Sequence, residues 1–491
     1  MSEGPEKAVM FNAALLFFLV ITQVVTAFHA LIYKRDPKAS WAWIITCILL
    51  PPVGPILYLL LGINRVRSKA QRLKGSWPFL LPGSPFLYAL DKSSEIQDAR
   101  NVLCKHTIPP HFHPIAHIAE AVTQRPLLGH NTIQPLFNGE QAYPAMLEAI
   151  HGAKRRIYLA TYILDTDGPG GEIIEALASA VSRGVEVKVL LDGVGEFYSR
   201  PRPSMVLQRR GIPFARFLPI KLTSPSPFIN LRNHRKLLIV DGGTGFTGGM
   251  NIRGKHMTQD PNNANPAQDI HFRLQGAIVS QMEEIFLEDW GFATGESRQG
   301  LTTVVDGTGQ AICRSVTVGP NQDLNKLSVI LNGAVSLASK SIHIMTPYFL
   351  PPREMLGALQ SAALRGVNVN VVLPARNNLP FVHWATRNML WELLLYGVRV
   401  YYQPPPFAHT KLFVLDDFYT VLGSANLDPR SLRLNFEVVL EAYEEELGRH
   451  MSEHIRSTIA VSREVTLREV DSRPLPERFR DSLCWLFSPY F

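Results

Sequence analysis

At 491 residues, 46% hydrophobic and 19% charged, the chain is long enough for two or three domains and too apolar to be disordered. Its net charge of +7 points to an anionic partner, either nucleic acid or an anionic membrane surface. The four cysteines, Cys47, Cys104, Cys313 and Cys484, lie far apart in no metal-ligand spacing, and nothing in the pattern requires a disulfide.

Two apolar stretches open the chain, from about Ala8 to Tyr33 and from about Trp41 to Ile63. Each is long enough to cross a hydrocarbon core of roughly 30 Å, which takes about 20 residues. A cleaved signal peptide is disfavoured, because the flank (Glu3, Glu6, Lys7) is poorly basic and a second apolar run follows at once. The second stretch contains Pro51, Pro52, Gly54 and Pro55, so a kinked or re-entrant span is predicted. The short loop KRDPKAS makes the pair a hairpin. Arg65, Arg67, Lys69, Arg72 and Lys74 after the second stretch outnumber Lys34, Arg35 and Lys38 in the loop. That excess favours a cytoplasmic body and an outward-facing loop.

A connecting segment, 71–130, follows. Its His111, His113 and His117 invite a zinc reading, but Pro110 and Pro114 interrupt any helix that would align them, and no metal is predicted.

The remainder contains itself twice. AKRRIYLATY from Ala153 and ALASAVSRGVEVKVLLD ending at Asp192 reappear as ASKSIHIMTPY from Ala338 and ALQSAALRGVNVNVVLP ending at Pro374. Each copy reads as strand, helix, Gly turn (Gly184, Gly366) and Val-rich strand, and a further Gly turn recurs at Gly211 and Gly397. The order predicts an α/β fold with buried central strands, its halves falling at 131–300 and 301–491 after a hairpin domain at 1–70.

A third repeated element carries chemistry: HRKLLIVDGGTGFTGGMN from His234 and HTKLFVLDDFYTVLGSAN from His409. From each His, Lys stands at +2 (Lys236, Lys411), Asp at +7 (Asp241, Asp416), Gly at +14 (Gly248, Gly423) and Asn at +17 (Asn251, Asn426). Positions two apart on a strand share a face, so each His and its Lys project together. Imidazole attacks phosphorus or passes a proton at neutral pH, and Lys and Asn hold non-bridging oxygens. Small residues at Gly249 and Ser424 let backbone approach a phosphate. Two facing half-sites supply the nucleophile and the general acid of an in-line displacement. Asp241 and Asp416, at strand ends, serve catalysis or structure. For the carboxylate that fixes a histidine tautomer, Asp269 and Glu437 are the better candidates.

These residues resemble the phospholipase D superfamily, whose members pair two H-x-K-x4-D motifs in one site. The resemblance implies two pseudo-twofold-related α/β domains sharing an active site, a phosphohistidine intermediate, and neither metal nor other cofactor. It is closest to bacterial cardiolipin synthases, through LPPVGPILYLLLGINR, NGEQAYPAMLEAIHGAKRRI, TPYFLPP and GSANLDPRSLRLNFE, the last contributing Asp428, Arg430 and Ser431. It implies His234 as nucleophile and His409 as acid, phosphatidylglycerol and cardiolipin as substrate and product, and a multi-pass place in the bacterial inner membrane. One departure stands out: where the family has Trp-Arg-Asp, this chain has Ala267, Gln268 and Asp269, after a polar loop DPNNANPAQ.

The C-terminal PERFRDSLCWLFSPYF fits an interfacial helix or packing against the second half. Water, serine or ethanolamine as acceptor would make the enzyme a phospholipase D or another phosphatidyltransferase. The basic charge alone supports a nuclease, which two membrane spans oppose; nucleic acid is not an expected partner. Complete copies of both motifs oppose a non-catalytic scaffold. The sequence specifies no oligomeric state.

Overall fold

The structure, a computed structural model, describes residues 4–34, 37–62, 107–219, 231–296, 305, 307–320 and 325–488. It divides into two compact units, Met1–Arg72 and Leu73–Phe491.

In the first unit a helix runs over Gly4–Tyr33, apolar on every side from Met10 onward. Its Leu16, Phe17, Phe28 and Leu31 are all more than 60% exposed, as suits a helix solvated by lipid rather than by protein. The second apolar stretch is not one helix. It runs over Pro37–Leu49, breaks at Leu50–Pro52, and resumes as Val53–Leu57 and a wider turn at Tyr58–Gly62. Pro51 and Pro52 cannot donate backbone N–H groups, which ends the helix there. Gln23 Nε2 donates to Ile48 O (2.8 Å), tying the two arms of the hairpin together. Only Met10–Tyr33 is by itself long and apolar enough to span a bilayer among the described residues. Arg65, Arg67, Lys69, Arg72 and Lys74 lie outside them.

Among the described residues the second unit is built on seventeen strands. The first half supplies β1 (Leu128–Phe137), β2 (Arg156–Thr161), β3 (Glu186–Asp192), β4 (Phe214–Phe217), β5 (Leu237–Val240), β6 (Thr244–Gly248), β7 (Ala267–Gln268) and β8 (Ile270–Gln275). The second half supplies β9 (Ala311–Val318), β10 (Ser341–Met345), β11 (Asn368–Pro374), β12 (Arg399–Gln403), β13 (Phe407–Ala408), β14 (Leu412–Leu415), β15 (Tyr419–Gly423), β16 (Glu437–Tyr443) and β17 (Arg463–Val465). Fifteen of them form one sheet, in the order β17-β12-β11-β10-β14-β15-β16-β9-β1-β8-β6-β5-β2-β3-β4. Apart from β17, which adds to one edge, the order reads the same from either edge to the β9–β1 seam once each strand is matched to its counterpart. The repeat is therefore a pseudo-twofold in space.

Helices cover both faces, so the strands between them are continuously apolar. Ile157 and Leu159 of β2 turn towards a core shared with helices Asn138–Gly152 and Gly168–Ser182. Tyr158 between them turns the other way and stacks on Phe286 of helix Ile278–Thr294, ring centroids 5.0 Å apart. In the second half Ile342 and Ile344 join a core with helices Lys326–Leu337, Arg353–Leu364 and Pro380–Leu394. The C-terminal helix Leu475–Leu486 turns its charged side inward: Arg387 reaches Glu477 (2.7 Å), and buried Asp481 accepts from Arg473 and Arg480. It packs on the second half.

The repeated Asp and Gly belong to this framework. Asp241 and Asp416 end β5 and β14, each with φ of +53°, at the opposite ends of those strands from the histidines. Asp241 accepts from the backbone N–H groups of Lys154, Arg155 and Arg156 (2.7–2.9 Å), and Asp416 from those of Ser339, Lys340 and Ser341 (2.7–2.9 Å). Each fixes the start of β2 or β10; at Asp241 burial is the largest single effect and raises the carboxyl, but the three amides and Arg155 together outweigh it and hold it below its usual range. Their place among the catalytic candidates is thereby corrected to anchors of the sheet. Gly248 and Gly423 have φ of +152° and +150°, and a Cβ there would meet His271 Nδ1 at 2.7 Å and Val438 O at 2.4 Å. Asp241→Ala or Asp416→Ala should therefore cost stability, about 1–2 kcal/mol by comparison with lost caps. Thermal unfolding in detergent should show a lower Tm, while transfer activity of the folded fraction stays within about threefold. An unchanged Tm with a hundredfold loss of activity would return these residues to the chemistry.

Candidate active site

The pairing of β2 with β5 sets Ala160 opposite Leu237, and that of β10 with β14 sets Met345 opposite Leu412. His234-x-Lys236 and His409-x-Lys411 therefore lie at the carboxyl ends of the parallel strands, where an open α/β sheet leaves room for ligands.

Two short backbone stitches bring these segments together across the halves. His234 N donates to Phe436 O (2.9 Å) and Phe436 N to Arg232 O (2.8 Å). In the counterpart, β13 pairs in parallel with β7, and His409 N donates to Gln268 O (2.7 Å). The residue after each stitch is a carboxylate, and it falls beneath the histidine of the opposite half. Glu437 takes His234 Nδ1 with both oxygens (3.0 and 2.9 Å), and Asp269 takes His409 Nδ1 (2.8 Å). Gln268, which carries the second stitch and departs from the family pattern, also accepts from Gln403 Nε2 through its side-chain oxygen (2.8 Å), another link between halves. The preceding loop is folded on itself, Asn263 Nδ2 donating to the carbonyls of Lys255 and Met257.

With each Nδ1 facing a carboxylate, Nε2 of His234 is left for a ligand, while Nε2 of His409 lies 3.2 Å from Lys411 Nζ. Lys236 Nζ donates to His234 O (2.6 Å), and Lys411 Nζ to His409 O while lying 3.0 Å from His409 Nδ1. Burial brings Lys236 down to about 7 and Lys411 down to about 8. Burial also lowers both histidines, against the pull of Glu437 at His234 and reinforced at His409 by Lys411. The carboxylates diverge. Burial pushes Asp269 up to about 7, whereas at Glu437 the His234 and Lys236 charges and a Ser424 hydrogen bond outweigh burial and hold it below the usual range.

The remaining predicted residues fall into two groups. Asn251 and Asn426 are buried in the same region; Asn251 Oδ1 accepts from Ile163 N (3.3 Å) and Asn426 Nδ2 donates to Ser431 Oγ (3.3 Å). Asp428 caps helix Pro429–Arg433 by accepting from Ser431 N (2.7 Å), which places that serine. Gly249 and Ser424, expected against phosphate, instead sit behind the carboxylates. Gly249 N faces Ile270 O (3.5 Å), a Cβ on it would lie 2.5 Å from Asp269 Oδ1, and Ser424 N donates to Val438 O (2.9 Å). Their backbone groups are already committed to the sheet, and this corrects the expectation.

Sequence reading missed several neighbours. Tyr162 stands edge-on to His234 with centroids 5.2 Å apart; its recurrence as Tyr348 in the repeat was an available signal. Arg235 joins Asp289 (2.7 Å) to the Glu437 carbonyl (3.2 Å), and Asp192 accepts from Asn233 N (2.9 Å). Lys255 acts electrostatically on both Asp269 and His409. His113, in the earlier cluster, meets the Ile108 carbonyl (2.9 Å), and no group of three metal-ligand residues gathers among the described residues.

Comparison with known proteins agrees with this architecture. A family model described as cardiolipin synthase, PLD-like domain, matches residues 146–290 and 331–459, and one described as phospholipase D-nuclease N-terminal matches residues 16–62. Cardiolipin synthase 1 of Staphylococcus epidermidis is 31% identical over 485 residues, 96% of this chain and 96% of that protein. The major cardiolipin synthase of Bacillus subtilis is 31% identical over 493 residues, 96% of this chain and 98% of that protein. Among solved structures, phosphatidylserine synthase of Haemophilus influenzae shares the fold, with a TM-score of 0.59 at 17% identity over 77% of this chain and 100% of that one. Duplicated motifs, a pseudo-twofold sheet and full-length similarity together establish that the chain belongs to the cardiolipin synthase family of phospholipase D-like proteins.

Proposed function

We propose that this chain is a cardiolipin synthase that moves a phosphatidyl group from one phosphatidylglycerol to a hydroxyl of another, releasing glycerol. The observation that carries the chemistry is the reciprocal pairing of His234 with Glu437 and of His409 with Asp269. An ionised Glu437 accepting from Nδ1–H leaves the Nε2 lone pair of His234 free to attack phosphorus. The P–O bond to glycerol breaks as the P–N bond forms, and His409 gives the leaving oxygen a proton. An incoming anionic phosphodiester raises the proton affinity of His409 and the two lysines, offsetting the burial that lowers them. A second phosphatidylglycerol then gives its hydroxyl proton to His409 and attacks phosphorus, and the P–N bond breaks. Lys236, Lys411, Asn251 and Asn426 are the proposed holders of the non-bridging oxygens.

Purified protein given phosphatidylglycerol alone should make cardiolipin and glycerol, identified by mass spectrometry, and excess glycerol should drive cardiolipin back. Phosphatidic acid as the main product in membranes would make it a phospholipase D. His234→Ala and His409→Ala should each lose at least about a hundredfold in rate. In the His409→Ala protein a phosphatidyl adduct should accumulate on His234; an adduct on His409 in the His234→Ala protein would reverse the assigned order.

The lysines predict a pH profile. Each is cationic below its own pKa, and the phosphodiester is anionic throughout, so kcat/KM should fall as pH rises through about 7 to 8. Lys411→Arg, a cation at every accessible pH, should move that alkaline limb upward if it remains active. An alkaline limb identical in the two proteins would remove Lys411 from phosphate binding.

Similarity to membrane-lipid enzymes and the apolar Met10–Tyr33 helix make the protein membrane-associated. We further propose that the hairpin, about 1–70, spans the bacterial inner membrane twice, that 71–130 connects it to catalytic halves at 131–300 and 301–491, and that those halves are cytoplasmic. The basic residues after the second stretch support this. A membrane-impermeant reagent applied to intact spheroplasts should label a cysteine placed in the 34–40 loop and not one at Arg468; the converse pattern would invert the topology.

A further inference from the structure

Beyond the site itself, two loops leave its end of the sheet, one from each half, and both carry exposed aromatic and basic side chains. After β3 the chain turns through Gly195–Tyr198, with Phe197 46% and Tyr198 58% exposed, followed by exposed Arg200 and Arg202. After β11, the counterpart strand, it passes exposed Arg376 and reaches Phe381, 38% exposed, at the start of helix Pro380–Leu394. Water-facing aromatic rings are costly unless something covers them, and here they follow both of the counterpart strands β3 and β11.

Both loops are fastened to the mouth. Gly195 lies so close to Tyr162, the ring beside His234, that a Cβ would fall 1.7 Å from the Tyr162 carbonyl. Tyr198 lies 6.1 Å from the Tyr162 ring and within electrostatic reach of Tyr348 in the other half. On the second side Asn377 Nδ2 donates to Pro347 O (2.7 Å), and Tyr348 donates to Asn378 Oδ1 (2.9 Å). The charge is one-sided as well. Within 195–211 the sole carboxylate, Glu196, is buried against Arg216 (2.8 Å), and 375–381 contains no carboxylate. The Arg202 guanidinium sits 4.2 Å over the Phe197 ring, a cation held beside an apolar surface.

We propose that these two loops, through Phe197, Tyr198 and Phe381 with Arg200, Arg202 and Arg376, seat the mouth of the site on an anionic phospholipid leaflet. The occupant follows from chemistry: aromatic rings enter the headgroup boundary, arginines meet lipid phosphates, and the surface is continuous with a site for a membrane-borne anion. A substrate then passes from leaflet to site without its acyl chains crossing open water. This inference rests on the proposed use of phosphatidylglycerol.

The test uses the full chain with Phe197→Asp and Phe381→Asp combined, both residues lying outside the chemistry. Turnover of phosphatidylglycerol in bilayer vesicles should fall at least about tenfold, while turnover of dihexanoyl phosphatidylglycerol dissolved as monomers stays within about twofold. Equal loss on both substrates would overturn the proposal, placing the loops in the catalytic pocket, and undiminished turnover of vesicles would overturn it too. A second readout does not need activity. With p-benzoylphenylalanine in place of Phe197, illumination in phosphatidylglycerol vesicles should give a phospholipid adduct by mass spectrometry. An adduct to a second copy of the chain, or none to lipid, would refute the leaflet. Were the wild type to make no cardiolipin, the functional reading would fall, and the adduct would still decide the loops.

Discussion

The exchange of carboxylates between halves is the contact on which the rest of this structure depends. Neither half orients its own histidine: Glu437 lies 203 residues from His234, and Asp269 lies 140 from His409. Each carboxylate is fully or nearly fully buried, so an unpaired one would be strongly destabilising, and pairing demands that both halves be folded and in register. The β1–β9 seam and the two stitches at Phe436 and Gln268 supply that register through backbone hydrogen bonds. The site is therefore complete only when the sheet is continuous across the two halves.

The frame is symmetric but the two pairs are not: His234 and Lys236 do most to hold Glu437 low, and one substitution between repeats adds to the difference. Ser424, which backs Glu437, contributes a hydroxyl hydrogen bond that favours the ionised carboxylate. The equivalent Gly249 presses its bare backbone against Asp269 and offers none, and Asp269 is left to the raising effect of burial. A carboxylate held ionised suits a histidine that must keep its proton on Nδ1 and attack through Nε2. A carboxyl that titrates near neutrality suits a partner that must take up and release a proton within each cycle. Divergence of two small residues thus works in the same direction as the proposed division into a nucleophile and an acid.

Much of this was legible in the sequence because duplication makes a pattern visible twice. The His, Lys, Asp, Gly and Asn spacings gave the motif, and the strand–helix–strand period gave the sheet. Asp241 and Asp416 misled for a geometric reason: their spacing looks catalytic, but four strand residues, at about 3.3 Å each, carry them to the far end of β5 and β14. Gly249 and Ser424 misled because small residues serve close packing of any kind, and what packs there is a carboxylate. The direction of the swap had no local signature, since Asp269 follows the first motif and Glu437 the second with equal regularity. Arg235 and Asp289, which position the Glu437 backbone from 54 residues apart, had none either.

The burial that assembles the site also bears on its choice of acceptor. Lys236, Lys411, Asp269 and Glu437 are all 5% exposed or less, so the charges that would otherwise draw in water are already engaged by one another and by backbone carbonyls. A phosphohistidine formed there would face the lysines and the histidine of the other half rather than bulk solvent. Water's advantage in concentration is then met by two opposing effects: burial of the polar groups around the histidines, and a second lipid presented from the same surface as the first. The second effect needs the mouth to sit on that surface. Hydrolase and synthase of this fold can therefore share every residue that touches phosphorus and still differ in product, through what surrounds the mouth and how long the intermediate is kept from water.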